Sequence, residues 1–230
     1  MAEVRRAPST GTGLCRFGMQ RLPPLLDAFE KEIDGVRVAE DIEYIHRMRV
    51  ASRRLRAALT LFRTCFPQKQ NSRWMKEITG ITRALGDARD TDVQIAFLVR
   101  FRKKNTAAWK TRSSGPADAT PMEPAIAYLL LDLRKKRGQF QARVLSALEA
   151  LEKSGIVSEM HSTFASQAVT GRRIPAQSLA RGVPTIAALR IGSHLADVRS
   201  FEPWVTHADA VAEHHAMRIA AKKLRYTMEV

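Results

Sequence analysis

An all-α fold is what this sequence predicts, and three observations predict it. Apolar residues recur at helical spacing along nearly the whole chain. No stretch alternates apolar and polar residues between turn residues, as a half-buried strand would. Prolines and glycines fall where helices start and stop rather than at the close intervals of hairpin turns.

The elements follow in order. A first helix is expected over about 14–34, with Pro23 and Pro24 kinking or restarting it, because proline lacks the backbone N–H and clashes with the preceding turn. A long second helix over about 41–65 must end before Pro67. A third, about 71–85, is expected to stop near Gly86, and a fourth to begin after a capping Asp90 and run to about 104. Residues 105–124 contain Ser113, Ser114, Gly115 and three prolines and read as a loop. A helix over about 124–153 ends at Gly155; others fit 156–169, 183–200 and 204–229, with Pro184 and Pro203 near their first turns. The whole chain, 1–230, is expected to form one domain of two helical halves, about 14–105 and 124–230, joined by a linker at about 105–123.

Composition limits what such a fold does. The 230 residues are 45% hydrophobic and 27% charged, enough for a substantial core. Lys and Arg number 38 against 23 Asp and Glu, a formal net charge of +15, which points to a polyanionic partner. Charge alone does not choose among nucleic acid, anionic membrane and a polymeric phosphate. Cys15 and Cys65 form neither a disulfide framework nor a metal knuckle, so inert thiols in a reducing cytoplasm are expected. No signal-peptide h-region and no run of roughly 18 apolar residues is present, so a membrane role is not expected.

Two distant stretches carry the same unusual word. His46-Arg-Met-Arg-Val-Ala-Ser-Arg-Arg-Leu-Arg56 and His215-Ala-Met-Arg-Ile-Ala-Ala-Lys-Lys-Leu-Arg225 share the pattern H-x-M-R-[VI]-A-x-[RK]-[RK]-L-R. Counted from each His at about 100° per residue, offsets 0, 3, 7 and 10 fall at roughly 0°, 300°, 340° and 280°. His46, Arg49, Arg53 and Arg56 thus share one stripe, as do His215, Arg218, Lys222 and Arg225. Arg54 and Lys223, at roughly 80°, flank these stripes. The opposite face carries Met48, Ala51, Leu55, Ala58, Leu59 and Phe62, and in the second copy Met217, Ala220, Leu224 and Met228. One face is built to pack and the other to present charge. Like charges aligned along a helix repel by a few tenths of a kcal/mol per pair, and a polyanion laid along them would relieve that repulsion.

These two words, together with Leu85-Gly-Asp-Ala-Arg-Asp-Thr-Asp92, resemble the CHAD domain family, the conserved-histidine α-helical domain. The resemblance spans about 14–229, and the octapeptide looks like the family's L-G-x-x-R-D-x-D turn. It implies two pseudo-symmetric antiparallel helical bundles enclosing a central basic channel, and binding of long-chain inorganic polyphosphate, with association to cytoplasmic polyphosphate granules. By position it nominates His46, Arg49, Arg53, Arg56, Arg89, His215, Arg218, Lys222 and Arg225, with Arg54 and Lys223 at the rim. The family pattern continues past the second word, whereas this sequence stops at Val230, so the second half reads as truncated and a homo-oligomer as a way to complete it.

Catalysis is not expected. Glu30-Lys-Glu-Ile-Asp34 lacks the lysine of the E-x-E-x-K signature of triphosphate tunnel enzymes, and no P-loop, G-x-S-x-G elbow or H-E-x-x-H helix occurs. Asp87, Asp90 and Asp92 are better suited to helix capping and pairing with Arg89 than to holding a cation, and the histidines lack metal-ligand spacing. No catalytic residue, metal or cofactor is therefore expected. A basic helical nucleic-acid binder is the alternative; the words are almost free of aromatics for base stacking, Tyr226 excepted.

Overall fold

The computed structural model describes the backbone of residues 10–112, 122–171 and 176–230, and the side chains of 13–106, 122–167 and 187–230. Among the described residues the chain is helical, without strands. The helices are α1 (Thr10–Glu30), α2 (Ile33–Val38), α3 (Ile42–Leu61), α4 (Gln68–Arg112), α5 (Met122–Ser154), α6 (Ile156–Gly171), α7 (Ala176–Arg199) and α8 (Val211–Glu229). Short 3-10 turns at Arg63–Cys65 and Glu202–Trp204 follow α3 and α7. No helix among the described residues is long and apolar enough to cross a membrane.

Two compact units interleave along the chain. One comprises residues 1–31, 50–79 and 155–230, the other 32–49 and 80–154, so neither coincides with a sequential half. In the first unit α1 packs against α6 and α7, and α7 against α8. Leu22, Leu26 and Phe29, three and four residues apart on α1, are fully buried, as are Leu55 and Leu59 on α3 and Phe62 just after it. Phe66, Trp74 and Phe164 form an aromatic cluster with ring centroids 5.1 to 5.8 Å apart. Around it, Arg73 pairs with Glu159, and the Gln70 amide donates to Glu159 at 2.9 Å.

The second unit is built on Val36, Ile45 and Met48 from the segment before residue 50, with Ile81, Leu85 and Ala88 on α4 and Val144, Leu148 and Leu151 on α5, all buried. Arg137 donates to the buried carboxylate of Asp92 at 2.7 Å, and Gln141 donates to the Val36 carbonyl at 2.9 Å. Arg37 pairs with Glu152 across the same surface.

Four expectations are corrected. The prolines do not restart the first helix: α1 runs through Pro23 and Pro24 and ends at Glu30 rather than near 34, after which α2 is separate. Burial of Leu22, Leu26 and Phe29 along one face outweighs the lost backbone hydrogen bonds. The octapeptide Leu85–Asp92 is no turn; α4 continues through Gly86 and Asp90, so the expected third and fourth helices are one and Asp90 caps nothing. Leu85, Ala88, Thr91 and Asp92 all face inward at helical spacing, and the resulting burial exceeds the roughly 1 kcal/mol a helical glycine costs. Helix α7 begins at Ala176, which places Pro184 in its interior, and α4 extends to Arg112, into the expected loop; residues 113–121 of that loop lie outside the described residues.

The fourth correction concerns the cysteines. Cys15 on α1 and Cys65 in the first 3-10 turn form a disulfide, with Cα atoms 5.2 Å apart. Their spacing in sequence carries no sign of this, because the packing of α1 against that turn creates the proximity. The small number of cysteines is therefore no argument for a reducing compartment. Other boundaries agree with the sequence: α3 and its 3-10 turn stop before Pro67, and α5 ends at Gly155, whose φ of +65° is readily adopted only by glycine.

Candidate functional site

The apolar face predicted for the first basic word is buried: Met48, Leu55, Ala58, Leu59 and Phe62 are inaccessible and Ala51 nearly so. Burying that face turns the cationic stripe outward. In the second word Ala220 is buried, Met217 and Leu224 are half-buried, and Met228 is 64% exposed.

Within the first unit, cations of both words meet around one cavity of about 500 Å³. Helix α3 contributes Arg53 and Arg56 with Ala57, Thr60 and Leu61; helix α8 contributes Lys222 and Lys223 with Ile219, Tyr226 and Thr227. Met75 comes from α4, and α7 adds Arg190 and His194. Among the described residues no carboxylate lines the cavity. The Arg53 guanidinium lies over the Tyr226 ring, 5.2 Å from its centroid, and Arg225 stands over the same ring at 4.9 Å. Between the same two helices Glu229 accepts from Arg54 at 2.9 Å and pairs with Arg225 at 3.2 Å. One carboxylate thus ties together a cation from each word.

Arg56 carries its charge at a cost. Its Nε is buried with no hydrogen-bond partner among the described residues. Burial, and next the neighbouring Arg53 charge, lower its pKa from the ordinary arginine value. Both effects disfavour the charged guanidinium as it stands, and an anion that supplies an acceptor and a compensating charge would offset them.

The second word faces the cavity differently from the first. The lining positions of α3 centre near 350° on the wheel counted from His46, whereas those of α8 centre near 50° counted from His215, a rotation of roughly 60°. Lys223, expected to flank, therefore lines the cavity, while His215 and Arg218 are exposed and lie outside its lining. Sequence equivalence of the two words is not positional equivalence.

His46, Arg49 and Arg89 belong to the second unit. There the L-G-x-x-R-D segment of α4 meets the start of α3: Asp90 pairs with Arg49 at 3.6 Å, and Arg89 Nη1 donates to Glu43 at 3.3 Å. Gly86 faces the Arg49 guanidinium, where a Cβ would stand in ordinary contact at 3.8 Å. His46 is half-buried. Arg49 and Arg89 are thus held in ion pairs. Arg190 and His194 were not expected at any site. Their i, i+4 spacing on a helix is the one sign of a shared face, and such spacing is common enough to carry little information without a partner helix.

No curated protein matches the chain. Among solved structures its fold resembles the crystal structure of the CHAD domain from the plant Ricinus communis, with a TM-score of 0.65 and 21% sequence identity. The likeness covers 94% of this chain and 64% of that one, so the chain spans just under two thirds of its length. The family model of the CHAD domain matches residues 20–230. With nearly the whole of its length matched, and both basic words inside the match, the chain belongs to the CHAD domain family.

Proposed function

We propose that this chain binds long-chain inorganic polyphosphate and serves as a module for polyphosphate granules in the cytoplasm, without catalysing a reaction. The observation that carries this reading is the convergence of Arg53, Arg56, Lys222 and Lys223, drawn from both words, on a cavity with no acidic lining among the described residues. Polyphosphate presents only oxygen acceptors and about one charge per unit. Arginine forks and lysine point charges match it without any base-shaped recognition. Arg54 and Arg225 are further contacts, for which the polymer competes with Glu229. In the second unit Arg49 and Arg89 are a separate set of contacts, for which the polymer competes with Asp90 and Glu43. His46, His215 and Arg218 complete the proposed contacts.

A binding role suits the chemistry of the lining. The Thr60 and Thr227 hydroxyls donate to carbonyls of their own helices, at 2.8 and 3.0 Å, and neither is paired with a base. Affinity should fall steeply with salt, because a polymer bound through several cations releases its counterions.

The test is competition binding at about 150 mM salt, where surface electrostatics are partly screened. Labelled long-chain polyphosphate is challenged with single-stranded RNA, duplex DNA and short phosphate chains. Strong preference for the long polymer is the expected result. Equal binding of every polyanion would overturn it and favour the nucleic-acid reading.

A further inference from the structure

The cavity of the first unit has an apolar wall that an inorganic polyanion cannot use. Ala57, Leu61, Met75 and Ile219 line it alongside the cations. A phosphate chain gains nothing from aliphatic contact and sheds hydration against it. A cavity of about 500 Å³ with apolar walls and a few convergent polar groups has instead the size and make-up of a small-molecule site.

The polar groups divide in the same sense. Arg53, Arg56, Arg190, Lys222 and Lys223 are donors only, suited to phosphate oxygens. Thr60 and Thr227 spend their hydroxyl protons on the carbonyls of Arg56 and Lys223, and so offer acceptors to the cavity. Guanidinium planes such as that of Arg53 also stack on flat rings. Donors for phosphate, acceptors for an amine or hydroxyl, and aliphatic side chains among them together describe a ligand that is both anionic and organic.

Resting on the polyanion reading above, we propose that this pocket takes an organic polyphosphate of the nucleoside triphosphate class. Its phosphates lie on Arg56, Lys222 and Lys223, and its nucleoside lies against Leu61, Met75 and Ile219. With Thr60, Thr227, Tyr226 and His194 as the acceptors, the lining has no dense pattern for reading a base, and ATP and GTP should bind alike.

The test is calorimetric titration of the full chain with ATP, GTP and inorganic tripolyphosphate at matched ionic strength and without divalent cations, alongside long-chain polyphosphate. Tripolyphosphate has as many phosphates as ATP and at least as much charge, so electrostatics alone ranks it equal or tighter. The expected result is ATP binding about tenfold tighter than tripolyphosphate, through apolar contact. Met75→Ala and Ile219→Ala should each weaken ATP severalfold and leave tripolyphosphate unchanged. Ile219 is 43% exposed, so its replacement tests the contact without emptying the core. ATP binding no tighter than tripolyphosphate, or losing nothing in both variants, overturns the proposal; long polyphosphate that still binds then leaves the earlier reading standing. ATP binding alone, with long polyphosphate and tripolyphosphate both silent, supports the nucleotide pocket and removes the polyphosphate function.

Discussion

Arg56 shows how a single charged residue is placed at odds with stability. Its buried, unpartnered Nε and lowered pKa mean that the empty fold gains little from the charge. Arg56→Met keeps the packed aliphatic stem and removes the stranded donor. Thermal denaturation should show a melting temperature equal to or above the parent's, while polyphosphate affinity falls about tenfold for the loss of one charge-assisted contact. A clear drop in melting temperature would instead make Arg56 a structural residue. Asp92 is the complementary case. Burial raises its pKa while the Arg137 hydrogen bond opposes that rise, and its side chain is only 4% exposed. Arg137→Met leaves the carboxylate unpaired and should cost about 3 kcal/mol near neutral pH in urea unfolding. Because the folded pKa lies above the unfolded one, the folded state takes up the proton first, and stability is regained as pH falls through the raised value. Without Arg137 that value climbs further, so the gap between variant and parent should narrow on acidification; a gap that does not change with pH would refute this account.

At the scale of elements, α4 is the main departure from what the sequence predicts. Gly86 looks like a stop signal because glycine so often follows a helix end. Here it has no positive φ and sits within a 45-residue helix. Gly86→Ala should therefore stabilise the protein by about 0.5–1 kcal/mol, since a Cβ there meets Arg49 only at ordinary contact distance. A loss of stability in denaturant titration would mean that the glycine is required as a turn. The basic words were legible because amphipathic periodicity depends on the local 3.6-residue repeat. The face of α8 turned to the cavity was not, because rotation about a helix axis is set by the neighbours it packs against. Arg190 and His194 enter the lining for the same reason.

For the whole molecule, the disulfide is a link between Cys15 and Cys65, 50 residues apart in sequence. Closing a loop of that length restricts the unfolded chain and stabilises the fold by about 2–4 kcal/mol. Added reductant should lower the melting temperature, and Cys65→Ser should reproduce the loss and abolish the response to reductant. A parent indifferent to reductant would show that the bridge does not form. Coupling of the two words belongs to this scale as well. If Arg53 and Lys222 hold one ligand, charge reversal of both should cost less than the sum of the single losses, whereas additive losses on a long polymer would indicate independent patches.

The sequence by itself determined the helical class, the ends of α3 and α5, the buried face of the first basic word and the family. Each of these depends on local periodicity, on turn chemistry or on a repeated motif, and all are written in contiguous residues. Tertiary structure decided the continuity of α1 and α4, the pairing of the cysteines, and which cations share a cavity: Arg53, Arg56, Lys222 and Lys223, but not His215 or Arg218. Those outcomes depend on burial and proximity between distant segments. Packing energy can there override a proline or glycine signal worth one to a few kcal/mol, and no local pattern records which side chains will meet.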